Sequence, residues 1–223
     1  MNNGKVKLLI LLLLLVKLSI NVFGQKNQNL AKHIVIKVSP LDLLELETVV
    51  FQAGAEYFFN DSLSLQSEIG LNSGVFGADA GRGQNQDFSF IRFRTEVKWY
   101  LPKSYVAAEA SFLSKDFDRQ NDFFFNGEES IGYTLGNINF FSTGAMAKIG
   151  TQRFISKRIL FDKYIGLGFR VNHNQVTPLE GITTGADGPS PILTDQYRYA
   201  GWSFSPNLTV GFKLGILTGK KQF

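Results

Sequence analysis

Apolar and polar residues alternate with a period of two along most of the chain. Residues 90–101, FIRFRTEVKWYL, show this most clearly, because charged side chains stand between apolar and aromatic ones. Successive side chains of a β-strand point to opposite faces of the sheet. We therefore expect one face of this strand to meet an apolar environment, with Ile91, Phe93, Val97, Trp99 and Leu101. The opposite face then carries Arg92, Arg94, Glu96 and Lys98.

The same alternation predicts eight strands, and helical periodicity is confined to a short turn near 41–46. The predicted strands are 33–39, 48–59, 63–72, 88–101, 105–114, 138–150, 160–171 and 202–217. Two connections, 60–62 and 102–104, suit tight turns, whereas three long loops occupy about 73–87, 115–137 and 172–201. The short loop after the first strand and the longer connection TQRFISKRI at 151–159 fit this pattern less well. Short turns at one end and long loops at the other are typical of bacterial outer-membrane barrels.

The composition of the two faces indicates which of them is outside. The apolar faces of the strands at 63–72, 160–171 and 202–217 carry no charge, and the opposite faces combine glycine, small polar residues and charges. A charge facing the bilayer centre costs about 2 to 4 kcal/mol for Arg or Lys, so its absence favours a lipid-facing surface. A soluble eight-stranded barrel is expected to have a mainly apolar interior. The pattern therefore predicts an all-β, eight-stranded, antiparallel, up-and-down transmembrane β-barrel.

Aromatic residues cluster close to the predicted turns, where a membrane interface is expected. At the short-turn end the predicted interfacial aromatics are Tyr57, Phe59, Trp99, Tyr100 and Tyr105. At the long-loop end Trp202 is expected in a second girdle, together with Phe88, Phe90, Phe140 and Phe204.

The first 24 residues read as a cleaved signal peptide. Lys5 and Lys7 precede an apolar run that is too short to span a bilayer as a helix, and Gly24 marks the cleavage site. The barrel domain is then 25–223, exported to the bacterial outer membrane as a multi-pass protein. Of the 23 basic and 19 acidic residues, the leader holds three lysines and no acid, so the barrel domain is nearly neutral. This charge balance does not indicate a nucleic-acid partner.

Four segments resemble a known family: the leader ending in VFGQ, residues 36–71, FRTEVKWYLP at 93–102 and NLTVGFKLG at 207–215. They are similar to small OmpA/OmpX-like outer-membrane β-barrel proteins, in particular to an uncharacterised family of Gram-negative bacteria. The resemblance implies contact with outer-membrane lipid and lipopolysaccharide. It also implies a structural or surface-interaction role, in which the long loops meet an unidentified surface ligand.

Charged residues on the inward face predict a network inside the barrel, because unpaired charges in a narrow interior are costly. Glu56, Glu68, Glu96 and Glu109 form an expected acidic wall, and Lys37, Lys148, Arg170 and Lys213 an opposing basic wall. Arg92, Arg94 and Lys98 lie beside the acids. We expect salt bridges across the lumen to close it to solutes.

No catalytic, cofactor-binding or metal-binding residues are predicted. The chain has no cysteine and two histidines, His33 and His173, and neither has a partner at metal-ligand spacing. The function expected is therefore non-enzymatic. Two alternatives stay open: a narrow channel for small solutes or ions, and a membrane-embedded lipid-modifying enzyme in which His173 takes part.

Overall fold

A computed structural model describes residues 30–40, 50–72, 88–127, 129–184 and 196–218. The predicted leader at 1–24, the short turn near 41–46 and the loop at 73–87 lie outside the described residues.

Eight antiparallel strands form one closed ring. Each strand pairs with its neighbour along the chain, and pairing of the first strand with the last closes the ring. The strands are β1 Ile34–Val38, β2 Val50–Phe58, β3 Leu63–Asn72, β4 Phe88–Tyr100, β5 Tyr105–Asn126, β6 Glu129–Phe154, β7 Ile159–Glu180 and β9 Gly201–Thr218. A two-residue strand, β8 Thr183–Thr184, pairs with β6 outside the ring, and a 3-10 helix spans Gln196–Arg198. The predicted all-β, up-and-down antiparallel architecture is confirmed.

Three tight turns define one end of the ring, called here the short-turn end. Between β2 and β3 the Asn60 side chain accepts a hydrogen bond from the Ser62 backbone N–H at 2.8 Å. Between β4 and β5 the Leu101 N–H donates to the Ser104 carbonyl. The third turn, after β6, contradicts the expectation of a longer connection at 151–159. Both flanking strands extend into that segment. Ser156 Oγ accepts hydrogen bonds from the backbone N–H groups of Arg158 and Ile159.

The predicted loop at 115–137 is wrong, because β5 and β6 continue through it as one long hairpin. Similarly, β7 occupies the first part of the predicted loop at 172–201. These extensions pack an apolar cluster, Phe117, Phe124, Tyr133, Ile138, Phe140, Val176 and Tyr197, on their inner side. Burial of these side chains stabilises strand pairing in a segment whose polar composition suggested a loop.

The interior of the ring is more polar than apolar. Among the described residues, 18 buried side chains are polar or charged and 16 are apolar or aromatic. The outer surface has the opposite character, with 27 large apolar or aromatic side chains exposed. No helix in the described part of the chain is long and apolar enough to cross a membrane.

Candidate functional site

Strand alternation places the predicted charges inside the ring. On β4, Arg92, Glu96 and Lys98 are buried, while Ile91, Phe93 and Val97 are 44–46% exposed on the outer face. Nine of the eleven predicted lumen charges are buried: Lys37, Glu56, Glu68, Arg92, Glu96, Lys98, Glu109, Lys148 and Lys213. The other two, Arg94 and Arg170, are partly exposed.

Asp162 on β7 is the centre of the innermost group. Its carboxylate accepts hydrogen bonds from Lys37 Nζ and Lys98 Nζ, both at 2.6 Å, and from the Tyr105 hydroxyl at 2.7 Å. Lys37 Nζ also lies 2.5 Å from Glu56 Oε2. Two carboxylates and two ammonium groups therefore share a site without net charge, and each is fully buried. This balance offsets part of the cost of removing the four charges from water.

A second group joins β4 and β5 to the opposite side of the ring. Glu96 and Glu109 are directly opposite each other on neighbouring strands, an arrangement that repels when both are ionised. Lys148 Nζ bonds to both carboxylates, at 2.9 Å from Glu96 Oε2. Lys213 Nζ lies 2.8 Å from Glu68 Oε1 and 3.5 Å from Glu96 Oε2. Because Lys98 Nζ lies 3.6 Å from Glu96 Oε1, Glu96 contacts three cations. Lys37, Lys98, Lys148 and Lys213 thus form ion pairs with carboxylates of the lumen.

The expectation of a wholly basic wall is corrected by one residue, Asp162. Asp162 lies on the predicted basic side, and Lys98 on the acidic side bonds to it. Sequence reasoning missed Asp162, although it has the same strand parity as the predicted inward positions of β7. It also missed Lys115, which is buried on the extension of β5.

Two predicted interfacial aromatics lie inside the ring instead. Tyr105 is 1% exposed, and its hydroxyl bonds to Asp162. The Tyr100 hydroxyl bonds to Glu56 and Gln152. The physical reason is parity, since Trp99 and Val106 point outward and their neighbours Tyr100 and Tyr105 must point inward. The remaining predicted aromatics, Tyr57, Phe59, Trp99 and Trp202, are exposed on the outer surface.

Apolar clusters close the lumen at both ends. At the short-turn end Val35, Phe58, Leu160 and Leu217 pack together. At the other end the cluster around Tyr197 includes Phe140, and Lys115 Nζ lies over the Tyr197 ring at 4.6 Å. Phe90 and Phe140 are thus buried and not part of the second girdle, again because their parity is inward. A cavity of about 290 Å³ lies between the buried ion pairs and the cluster around Tyr197. It is lined by Arg92, Arg94, Glu109, Ser142 and Arg170 among others.

Neither histidine lies in the lumen network. His33 precedes β1, and its Nδ1 lies 3.0 Å from the Ala31 carbonyl oxygen. His173 is on β7 and not in a loop; its ring packs against Trp202 with centroids 4.7 Å apart. Within the described ranges no group of three or more His, Asp or Glu side chains is arranged to hold a metal ion.

Comparisons of the chain with protein-family models, with curated proteins and with solved structures found no match. The geometry of the ring and its charged interior are therefore the basis for any functional argument.

Proposed function

We propose that this chain is a non-enzymatic β-barrel of a bacterial outer membrane, similar to the OmpA/OmpX-like proteins, with a structural or surface-interaction role. The observation that carries the proposal is the inverted distribution of polarity. Among the described residues, eleven charged side chains are buried and 27 large apolar or aromatic ones are exposed. Large contiguous apolar surfaces on proteins mark sites of contact with lipid or with other proteins. Here the apolar surface surrounds the barrel. Lipid can cover such a surface on all sides, whereas a single protein partner would cover only one side.

The backbone of the ring supports the same proposal. Lipid offers no hydrogen-bond partners, so a membrane-spanning sheet must close on itself and leave no open edge. The eight strands do close, and four lysines inside the ring form ion pairs with five carboxylates. A soluble barrel of this size would instead gain stability by turning its apolar side chains inward.

Exposed aromatic residues stand near both ends of the outer surface. Tyr57, Phe59 and Trp99 adjoin the tight turns, and Trp202 and Phe204 begin β9 at the opposite end. Tryptophan and tyrosine side chains prefer the headgroup region, because their rings are apolar and their polar atoms reach water. The band between them is the part of the surface proposed to contact acyl chains.

We assign a structural role to the lumen network and an interaction role to the long-loop end. Ion pairs occupy the middle of the described lumen and apolar clusters lie at both ends, with a cavity of about 290 Å³ below the cluster around Tyr197. This arrangement favours a scaffold over a conducting pore. The long hairpin of β5 and β6 and the segment around Tyr197 form the described surface at the long-loop end. Surface loops on a rigid scaffold commonly bind partners, and outer-membrane lipid and lipopolysaccharide surround the barrel in this proposal.

The first experiment is fractionation of expressing cells, followed by gel electrophoresis with and without boiling. A folded outer-membrane barrel is expected in the outer-membrane fraction with a mobility that changes on boiling. Recovery of folded protein in the soluble fraction would contradict the proposal.

A pair of substitutions tests lipid contact directly in the purified protein. Leu167 is 65% exposed midway along β7, and Thr177 is exposed on the β7 extension. In lipid vesicles, Leu167→Arg is expected to lower the free energy of unfolding by about 2 to 4 kcal/mol, and Thr177→Arg by about 0 to 1 kcal/mol. Equal effects of the two variants would argue against a bilayer around β7.

A further inference from the structure

Basic side chains predominate on the outer surface of the short-turn end. In residues 30–33, 59–62, 101–104 and 151–163, at least partly exposed charged side chains comprise six cations and one acid. The cations are Lys32, Lys103, Arg153, Lys157, Arg158 and Lys163, and we call this set the basic collar. The acid is Asp61. Asp162 falls in the same range but is buried in the lumen.

The long-loop end has the opposite charge among the described residues. Its at least partly exposed charged side chains are Asp116, Asp118, Arg119, Asp122, Glu129, Glu180 and Arg198. Five of these seven are acids, and Asp122 forms ion pairs with both arginines. Among the described residues, the two ends of the barrel therefore differ in the sign of their surface charge.

The basic collar adjoins the exposed apolar band. Trp99 and Leu101 are 62% and 46% exposed, and Lys103 follows two residues later. Ile155 and Ile159, which are 65% and 42% exposed, flank the exposed Lys157 and Arg158. Long basic side chains can lie along apolar surface and place their charge in the headgroup region. The cations thus lie at the edge of the surface that is proposed to contact acyl chains.

The collar occupies three places along the rim of the ring, and four of its six cations belong to one hairpin. Lys32 precedes β1, Lys103 lies between β4 and β5, and the other four lie between β6 and β7 or on those strands. Cations spread along a rim suit many separate anionic headgroups in one plane better than a single soluble anion in a pocket. Guanidinium and ammonium groups both bind phosphate oxygens through charge-assisted hydrogen bonds.

We propose that the basic collar binds the phosphate groups of anionic phospholipids in the leaflet at the short-turn end. This inference rests on the proposed insertion in a bilayer. It goes further by naming the class of lipid that is bound and the end of the barrel that binds it. Binding at this end and repulsion at the acidic end together favour one orientation in a membrane whose anionic phospholipid lies on one side.

The test uses the full folded protein in detergent with equal amounts of phosphatidylglycerol and phosphatidylcholine, and native mass spectrometry counts the bound lipids. We expect enrichment of phosphatidylglycerol, which declines as added salt shortens the Debye length from about 10 Å to about 3 Å. Each cation near an anionic surface is worth about a fivefold change in binding. The variant Lys103→Gln/Lys157→Gln/Arg158→Gln is therefore expected to lose roughly tenfold or more of the enrichment.

The control variant Glu129→Gln/Glu180→Gln removes charges at the other end and is expected not to lower the wild-type enrichment. Equal enrichment in the collar variant and the wild type, or enrichment that salt does not reduce, would overturn the proposal. Flotation with vesicles of phosphatidylcholine alone separates the two proposals. If the protein floats with these vesicles but shows no enrichment of phosphatidylglycerol in the mass spectra, only the proposal of lipid binding by the basic collar is overturned. If the protein does not float, the proposed insertion in a bilayer is overturned as well.

Discussion

The substitution Asp162→Asn tests whether the buried ion network stabilises the barrel. Asparagine preserves the shape of the side chain and removes its charge. The innermost group then holds two ammonium groups and one carboxylate. Lys37 keeps Glu56 at 2.5 Å, but the nearest carboxylates left to Lys98 are Glu96 and Glu56, at 3.6 Å and 3.7 Å.

The expected cost follows from the burial of these groups. Lys37, Lys98 and Asp162 have fully buried side chains, so water does not compensate the lost charge. Removing one partner of a buried ion pair typically costs about 3 to 5 kcal/mol. We expect Asp162→Asn to lower the free energy of unfolding by that amount.

The assay is equilibrium unfolding in urea of the protein folded in lipid vesicles, followed by tryptophan fluorescence. Trp99 and Trp202 are the two tryptophans of the chain, and both are exposed outside the network. A stability effect should move the midpoint and leave the slope unchanged. The control is Asp61→Asn in an exposed turn, which is expected to change stability by less than about 0.5 kcal/mol.

A double-mutant cycle with Lys98→Met isolates the pair. Because each single variant leaves one buried charge behind, the double variant is expected to lose less stability than the sum of the two, with a coupling of about 0.5 to 3 kcal/mol. Two results would refute the reasoning: a cost of Asp162→Asn as small as that of Asp61→Asn, or strict additivity in the cycle.

Three further predictions concern packing, hydrogen bonding and closure of the lumen. A Cβ atom on Gly54 would lie 2.7 Å from Glu68 Cα, so Gly54→Val is expected to cost about 1 to 3 kcal/mol in urea unfolding. The same change at outward-facing Ala55 should be nearly neutral, and equal costs would contradict the inward assignment. Tyr105→Phe removes the hydrogen bond to Asp162 and should cost about 1.5 to 3 kcal/mol, whereas Tyr57→Phe on the outer surface should not; a neutral Tyr105→Phe would count against the bond. In planar bilayers the wild-type protein is expected to give no discrete conductance, and stepwise currents would instead support the channel alternative.

The architecture could be predicted because period-two alternation survives wherever one face of a strand meets a different environment from the other. The predicted strand at 63–72 agrees with β3. The prediction at 88–101 is one residue too long at its end, and that at 202–217 is one residue too short at each end. The long hairpin escaped this test because its parity changes. Phe117 is buried at an odd position of β5, and Phe124 at an even one.

Asn121 lies between these two phenylalanines with a positive φ of 50°. It has no partner in the register of β5 with β6, and β6 shifts its register against β7 nearby, between Leu135 and Gly136. An asparagine tolerates this left-handed conformation better than most residues. A fixed period of two therefore reads the hairpin as two short fragments with a polar gap, and only the pairing in three dimensions joins them.

The alternation of inward and outward side chains along each strand explains which lumen residues were predicted from the sequence and why Tyr100, Tyr105 and Asp162 were not. Closeness to a turn placed Tyr100 and Tyr105 in the outer girdle, whereas strand parity places both inward. A buried phenol requires a hydrogen-bond partner, and for Tyr105 that partner is Asp162. The same parity, extended along β7 from Gly166 and Tyr164, points to Asp162 without the structure. The alternation of side chains along each strand therefore predicts which side chains point into the lumen. It does not predict which cation pairs with each carboxylate. Those pairs depend on how the ring closes, since Lys98 and Asp162 lie on strands separated by two others.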